Sequence, residues 1–259
     1  MTRLNWSGTS RDGLAISAPF AQSVYVFHGA TLVGSINTTN ANVRIGVHAN
    51  TNWFTDSYPG SLASGELNSA SSMEDLIVGA WDGGSNGGGA YVIYGGSPTG
   101  TTITLSDNSG DVNMAGLSAH IFDNPAPAVD SELGVKVAYL GDTKVGNGPG
   151  DFAVSYNADL TEPGSGTIAD NKVYVLRGRI APAVGTVAFT TLGANDLTIQ
   201  EPATGKTGFG MMIGSISDQS GDSFRDIVLG SNLSAGGKAY IVNGSKTGTV
   251  VLNGTSDYL

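Results

Sequence analysis

Four short runs of this chain are spelled alike, and an internal repeat limits the architectures open to a chain more than any other sequence feature. The runs are Tyr25-Val-Phe-His-Gly29, Tyr91-Val-Ile-Tyr-Gly95, Tyr174-Val-Leu-Arg-Gly178 and Tyr240-Ile-Val-Asn-Gly244. Each follows a second apolar run led by an aspartate: Asp12-Gly-Leu-Ala-Ile-Ser-Ala18, Asp75-Leu-Ile-Val-Gly-Ala80, Asp151-Phe-Ala-Val-Ser155 and Asp226-Ile-Val-Leu-Gly-Ser231. The aspartates stand 63, 76 and 75 residues apart. Seventeen or eighteen residues before three of them comes a third element, Tyr58-Pro59-Gly60, Leu133-Gly134 or Phe209-Gly210. One such unit is too small to bury both faces of its own sheet, so copies must stack on one another.

The runs are rich in tyrosine and β-branched residues and are punctuated by Gly, Asn, Asp and Ser, which is strand-and-turn chemistry. Glycine fits the same reading: 39 of 259 residues give many places where a tight turn can adopt positive φ without steric cost. No stretch carries a convincing helical period. Each unit therefore reads as strand, loop, strand, glycine-rich turn, strand, and a last strand such as Thr101-Thr-Ile-Thr-Leu105 or Thr249-Val-Val-Leu252. The expected fold is all-β, a β-propeller of four-stranded blades with units near 1–57, 58–132, 133–208 and 209–259. A β-sandwich or a β-solenoid is the alternative.

The order of elements resembles the FG-GAP repeat, the blade of integrin α-subunit propellers and of many bacterial secreted proteins. That family runs Phe-Gly, a calcium loop of form Asp-x-Asp-x-Asp-Gly-x-x-Asp, an apolar strand ending in Gly-Ala-Pro, then Gly-x-x-Tyr-Val-Tyr-x-Gly. The last unit matches it best, through Phe209-Gly210, Asp218 to Asp226, Ile227-Val-Leu-Gly-Ser231 and Gly236-Gly-Lys-Ala-Tyr240. Ala18-Pro19 and Gly79-Ala80 keep parts of the Gly-Ala-Pro element. Members are usually seven-bladed, whereas four units are visible here. The first unit reads as opening inside its loop, at Leu4-Asn5-Trp6, which would put its Phe-Gly strand before Met1. Closure by 249–259, a larger propeller, or a strand from a neighbour would each complete that blade.

The strongest candidate site is Asp218-Gln-Ser220-Gly-Asp222-Ser-Phe224-Arg-Asp226. Oxygen side chains fall at loop positions 1, 3, 5 and 9, and Phe224 at position 7 offers its carbonyl, an all-oxygen set suited to a hard cation. The resemblance implies that these residues hold Ca2+. Three carboxylates in nine residues also repel one another without a cation. The plainer alternative is a polar hairpin whose side chains bind their own backbone. The third unit offers a weaker set, Asp142, Asn147 and Asp151, with Lys144 where an oxygen is expected. The loops before Asp75 and Asp12 hold fewer ligands, and there the carboxylate is expected to accept backbone N–H groups and fix the loop without metal.

Other chemistries are poorly served. Twelve Lys+Arg against 22 Asp+Glu give a net charge of −10, which disfavours nucleic acid and anionic membrane as partners. With no cysteine there are no disulfides, thiolate metal sites or thiol nucleophiles. His28, His48 and His120 are scattered and form no His-x-x-x-His pair. Gly83-Gly-Ser85-Asn-Gly87 has the nucleophile-elbow spelling but sits between strands, not at a strand-to-helix turn. No apolar run approaches the length of a membrane span, and the polar N-terminus does not read as a signal peptide.

The expectation is a non-enzymatic extracellular or surface domain, on a cell or a virion, that presents a propeller face to a protein or glycan and is stiffened by calcium. A lectin-like carbohydrate binder is the second expectation, with Trp53, Phe54, Tyr58 and Trp81, joined by Trp6, as a stacking platform. A structural subunit of a virion, fibre or surface layer, built by self-assembly, is the third.

Overall fold

A computed structural model of the chain describes residues 1–6, 12–18, 21, 23–29, 34–47, 61–67, 73–80, 89–95, 101–105, 119–123, 131–144, 149–158, 171–178, 185–188, 193–201, 208–231 and 237–252. Over these residues the fold is all-β, in four sheets, with a 3-10 turn at Thr38–Asn40. Among the described residues no helix is long and apolar enough to cross a membrane.

The first sheet runs β1 (Thr2–Leu4), β2 (Gly13–Ala18), β3 (Ser23–Phe27) and β4 (Val43–Val47), all antiparallel to their neighbours. The expectation that the first unit lacks its opening strand is thus corrected: β1 is that strand, formed without Phe-Gly. The second sheet repeats the plan with β5 (Leu62–Gly65), β6 (Asp75–Ala80), β7 (Gly89–Ile93) and β9 (Ala119–Asp123). The third uses β10 (Ser131–Gly141), β11 (Asp151–Ala158), β12 (Asn171–Leu176) and β14 (Leu197–Glu201). The fourth has β15 (Phe209–Ile216), β16 (Asp226–Ser231) and β17 (Lys238–Val242).

The remaining strands leave their own units. β8 (Thr101–Leu105) pairs parallel with β4, β13 (Gly185–Ala188) with β9, and β18 (Gly248–Val251) with β14. Each of the first three sheets is therefore five-stranded, and its outermost strand comes from the following unit. This corrects the placing of 101–105 and 249–252 as last strands of their own units. An alternating apolar pattern specifies a strand but not the edge it joins. An open sheet edge one unit back is as good an acceptor as the local one.

The Phe-Gly element is realised as a bulge in the unit's first strand. Gly134 and Gly210 have φ of 89° and 77°, a conformation that favours glycine. The ladder shifts register just beyond each of them, between Leu133 and Val137 and between Phe209 and Met212.

The sheets stack in chain order and bury three apolar seams. Val24, Val26 and Ile45 of the first sheet meet Leu76, Val78, Tyr91 and Ile93 of the second. Ala90 and Val92 of the second meet Phe152, Val154 and Leu176 of the third. Val173 and Val175 of the third meet Ile227, Leu229, Tyr240 and Val242 of the fourth. The rule is uniform. Residues flanking the repeated tyrosine face the next sheet, and the tyrosine side faces the preceding one.

Candidate functional site

Asp75, Asp151 and Asp226 each begin the second strand of a sheet, and each is buried. Their carboxylates make the same two connections. Asp75 Oδ2 accepts the Leu67 N–H at 2.7 Å and Oδ1 the Gly95 N–H at 2.8 Å. Asp151 takes Thr143 at 2.9 Å and Gly178 at 2.7 Å. Asp226 takes Gln219 and Ser220 at 2.6 and 2.9 Å and Gly244 at 3.0 Å. One oxygen holds the loop that enters the strand, and the other holds the glycine that closes Tyr-x-x-x-Gly. The repeat signature is therefore a carboxylate latch.

The glycine follows from the same geometry. A Cβ on Gly95 would lie 2.8 Å from the Glu74 carbonyl, and on Gly178 or Gly244 it would collide with the carbonyl of Pro149 or Arg225. Burial pushes the Asp75 carboxyl up to about 6, against the lowering effect of its two N–H partners. Asp12 does not share this role. It is exposed and pairs with Arg3 at 3.0 Å, so the first unit replaces the latch with a surface ion pair.

The loop 218–226 holds a cluster of side-chain-to-backbone bonds. Asp218 Oδ1 accepts the Gly221 N–H at 2.6 Å and the Ser220 hydroxyl at 3.2 Å, and Oδ2 accepts the Ser223 N–H at 2.7 Å. The bond from Ser223, then those from Gly221 and Ser220, hold the Asp218 carboxyl below its ordinary value. Asp222 Oδ1 accepts the Phe224 N–H at 2.9 Å. The nearby Ser245 hydroxyl is the largest influence lowering the Asp222 carboxyl, yet that hydroxyl donates to Asn243 Oδ1 at 2.7 Å. Asp222 Oδ2 is consequently a buried oxygen with no hydrogen-bond donor among the described residues.

That orphaned oxygen tests the loop against the cation its spelling implies. A hard dication supplies what a buried carboxylate oxygen without a donor lacks. Asp218, Ser220, Asp222 and the Phe224 carbonyl are the groups that would have to turn toward such an ion, while Asp226 anchors the loop through its N–H bonds. The carboxylates are not drawn together around one point: no group of three or more acidic, His or Cys side chains is gathered at metal-binding separation among the described residues. Asp218 and Asp226 are turned onto backbone N–H groups, which is the polar-hairpin arrangement.

In the third unit the two acids do different work. Asp142 is exposed and accepts the Lys144 N–H at 3.1 Å, whereas Asp151 is buried. Asn147 lies outside the described residues. Asp151 Oδ2 also receives the Thr143 hydroxyl at 2.6 Å and Arg177 Nη1 at 3.2 Å. Arg177 is buried too, and burial lowers its pKa even though Asp151 acts to raise it. Its Nε reaches the Asn195 carbonyl at 3.2 Å, and Nη2 reaches the carbonyls of Gly244 and Lys246 at 2.5 and 2.7 Å. The guanidinium fork thus supplies an internal cation to Asp151 and ties the third sheet to the turn after β17. A second tie across the same seam, toward the other end of β12, joins Tyr240 Oη to Glu201 at 2.8 Å.

Sequence reasoning missed Arg177 and Glu201. The available signal was position: Arg177 occupies the place of His28, Tyr94 and Asn243 in the repeated run, and it is the one cation among the four. Trp6 was misplaced as part of an exposed platform. It is buried in the first seam and donates Nε1–H to the Tyr94 carbonyl at 3.2 Å. Trp53, Phe54, Tyr58 and Trp81 lie outside the described residues. His28 is a buried strand-end residue, and burial lowers its pKa.

No protein-family model matches the chain, and no curated protein matches it. Among solved structures, a chain in "Crystal structure of BBS1N in complex with ARL6DN, soaked with mercury" aligns with 90% of this chain at 10% identity and a TM-score of 0.34. This chain spans 60% of that one's length. A likeness at that level decides neither fold nor function.

Proposed function

We propose that the chain is a non-enzymatic surface domain for adhesion or assembly, displayed outside a cell or on a virion and stiffened by calcium at 218–226. One observation carries the reading. The repeated buried acids Asp75, Asp151 and Asp226, with Arg177, are engaged in holding backbone and seams together. A fold that commits its buried charge to rigidity suits a scaffold that presents a surface. The four all-β sheets stacked in chain order support the same reading; we take them as blades of FG-GAP type, and the open oxygen of Asp222 supports the cation.

Of the other two expectations, the structural subunit has an observation in its favour. Met212, on the outer face of the fourth sheet, is 67% exposed, and a large apolar side chain there suits contact with a neighbour. Calorimetry in calcium and in chelator, with solid-phase binding to surface proteins and glycans, tests the proposal. Calcium should raise the melting temperature and support saturable binding. An unchanged melting curve with no bound metal by elemental analysis removes the cation, and turnover of a polysaccharide removes the non-enzymatic part.

A further inference from the structure

The three seams are built from one pair of complementary faces, and among the described residues each half of that pair also occurs once with no sheet packed against it. The half that meets the next sheet consists of the residues flanking the tyrosine and their neighbours across the ladder. In the first three sheets these are Val24 and Val26, Ala90 and Val92, and Val173 and Val175, all buried. In the fourth sheet the equivalents are Ala239, which is exposed, and Ile241, which is half-buried. Beside them lie Gly230 and half-buried Val228, and opposite Gly230 stands exposed Met212. Residues directly opposite in an antiparallel ladder share a face, so these side chains form one apolar surface.

The other half is the tyrosine side. In the second, third and fourth sheets it is made by Val78 beside Tyr91, Val154 beside Tyr174, and Leu229 beside Tyr240. The three aliphatic residues are fully buried against the preceding sheet. In the first sheet the equivalents are Ile16 beside Tyr25, with Leu14 next along β2, and all three are only half-buried. Exposed Arg44 stands opposite Tyr25 and completes that surface.

We propose that these two surfaces are the halves of a fourth seam, and that the occupant of each is a second copy of this chain. The outer face of one copy's fourth sheet receives the tyrosine side of another copy's first sheet, head to tail. The occupant is specified by continuity: every internal junction joins these same two faces in this same order, so the chain carries both partners of an interface it already makes three times. Such a contact joins unlike patches. It closes into a ring if the rotation allows and otherwise grows as a filament. The proposal rests on the assembly reading above and names its partner.

Sedimentation velocity on the intact chain and on two single variants tests it. Met212→Glu places a charge on the outer face at an exposed position. Ile16→Glu does so on the tyrosine side, and Arg44→Glu, at an exposed position, replaces it if Ile16→Glu loses its β-type circular dichroism. The native chain should form species that grow with concentration, and each variant alone should remain monomeric. An equimolar mixture of the two variants should give a heterodimer and stop there, because each contributes one intact face. Three results would overturn the inference: a native chain that is monomeric at its solubility limit, oligomers indifferent to both substitutions, or loss of assembly by Met212→Glu alone. The last would signify like faces meeting. A monomeric native chain that still binds surfaces with calcium sinks this inference and spares adhesion as the proposed function, whereas oligomers that bind nothing uphold this inference and remove adhesion.

Discussion

Arg177 and Gly244 stand on opposite sides of the third seam, and the Gly244 carbonyl accepts Nη2–H of Arg177 at 2.5 Å. The N–H of the same glycine donates to Asp226 at 3.0 Å, while Arg177 Nη1 donates to Asp151 at 3.2 Å. The latch carboxylates of two successive sheets are therefore joined through one glycine and one guanidinium.

Removing that guanidinium should be costly. Arg177→Met leaves Asp151 buried with its charge unmatched and frees the carbonyls of Gly244 and Lys246. Breaking a buried ion pair from one side costs about 3–5 kcal/mol, so urea unfolding should show a loss on that scale. Arg177→Lys should recover little of it, since an ammonium cannot span a carboxylate and two carbonyls in a planar fork. A loss below about 1 kcal/mol, the size of a surface ion pair, would show that the pair contributes little.

The latch glycines should tolerate no side chain. Gly178→Ala and Gly244→Ala place a methyl against the carbonyls of Pro149 and Arg225 and should lower the melting temperature clearly. Gly214 has nothing within 4 Å of its Cβ position. Gly214→Ala should be neutral or stabilising, by up to about 1 kcal/mol from the reduced freedom of the unfolded chain. Equal effects at the three sites would contradict the close-approach account.

Asp75 makes stability depend on pH in an unusual direction. Its folded value near 6 lies above the 3.8 of a free carboxyl, so the folded state binds the proton more tightly. Stability from this group is complete below about pH 4 and is lost as pH rises through 6, by a few kcal/mol in total at about 1.4 kcal/mol per unit. The difference in melting temperature between the native chain and Asp75→Asn should therefore grow as pH falls from 7 to 4.5. Asp218 and Asp222 have lowered values and act in the opposite sense, but only below the ordinary carboxyl range. A difference that is flat with pH would remove the burial argument.

Calcium should act through Asp222. Chelation should lower the melting temperature of the native chain, because a ligand that binds only the folded loop stabilises by mass action. Asp222→Ala should abolish most of that response, and Asp12→Ala should leave it intact, since Asp12 is engaged with Arg3 at the surface. Equal calcium responses in the native chain and Asp222→Ala would place the ion elsewhere.

The repeat was legible because its physics is local. An aspartate at a strand entrance and a glycine after Tyr-x-x-x are both dictated by one carboxylate, so their spacing survives in the spelling. Partner choice was not legible. Thr101–Leu105 reads as a strand in any register, and nothing in five alternating residues says that it pairs with β4 and not β9. The latch role of Asp226 was hidden behind its place in a calcium-like spelling, since one residue type serves both uses. Trp6 misled because an aromatic between polar residues reads as exposed, whereas its indole N–H meets a carbonyl of the next sheet.

The borrowed outer strands also set a timetable for synthesis. Residues 43–47 wait for 101–105, residues 119–123 for 185–188, and residues 197–201 for 248–251 before their edges are covered. As the chain leaves the ribosome, each of the first three sheets keeps one bare edge until most of the next unit has emerged. Pairings this distant in sequence form late and slowly, and exposed edges are where nascent chains go astray. Maturation should thus proceed from the N-terminus with a lag of one unit, and a stall inside the second, third or fourth unit, before its lent strand emerges, would leave the sheet before it unfinished.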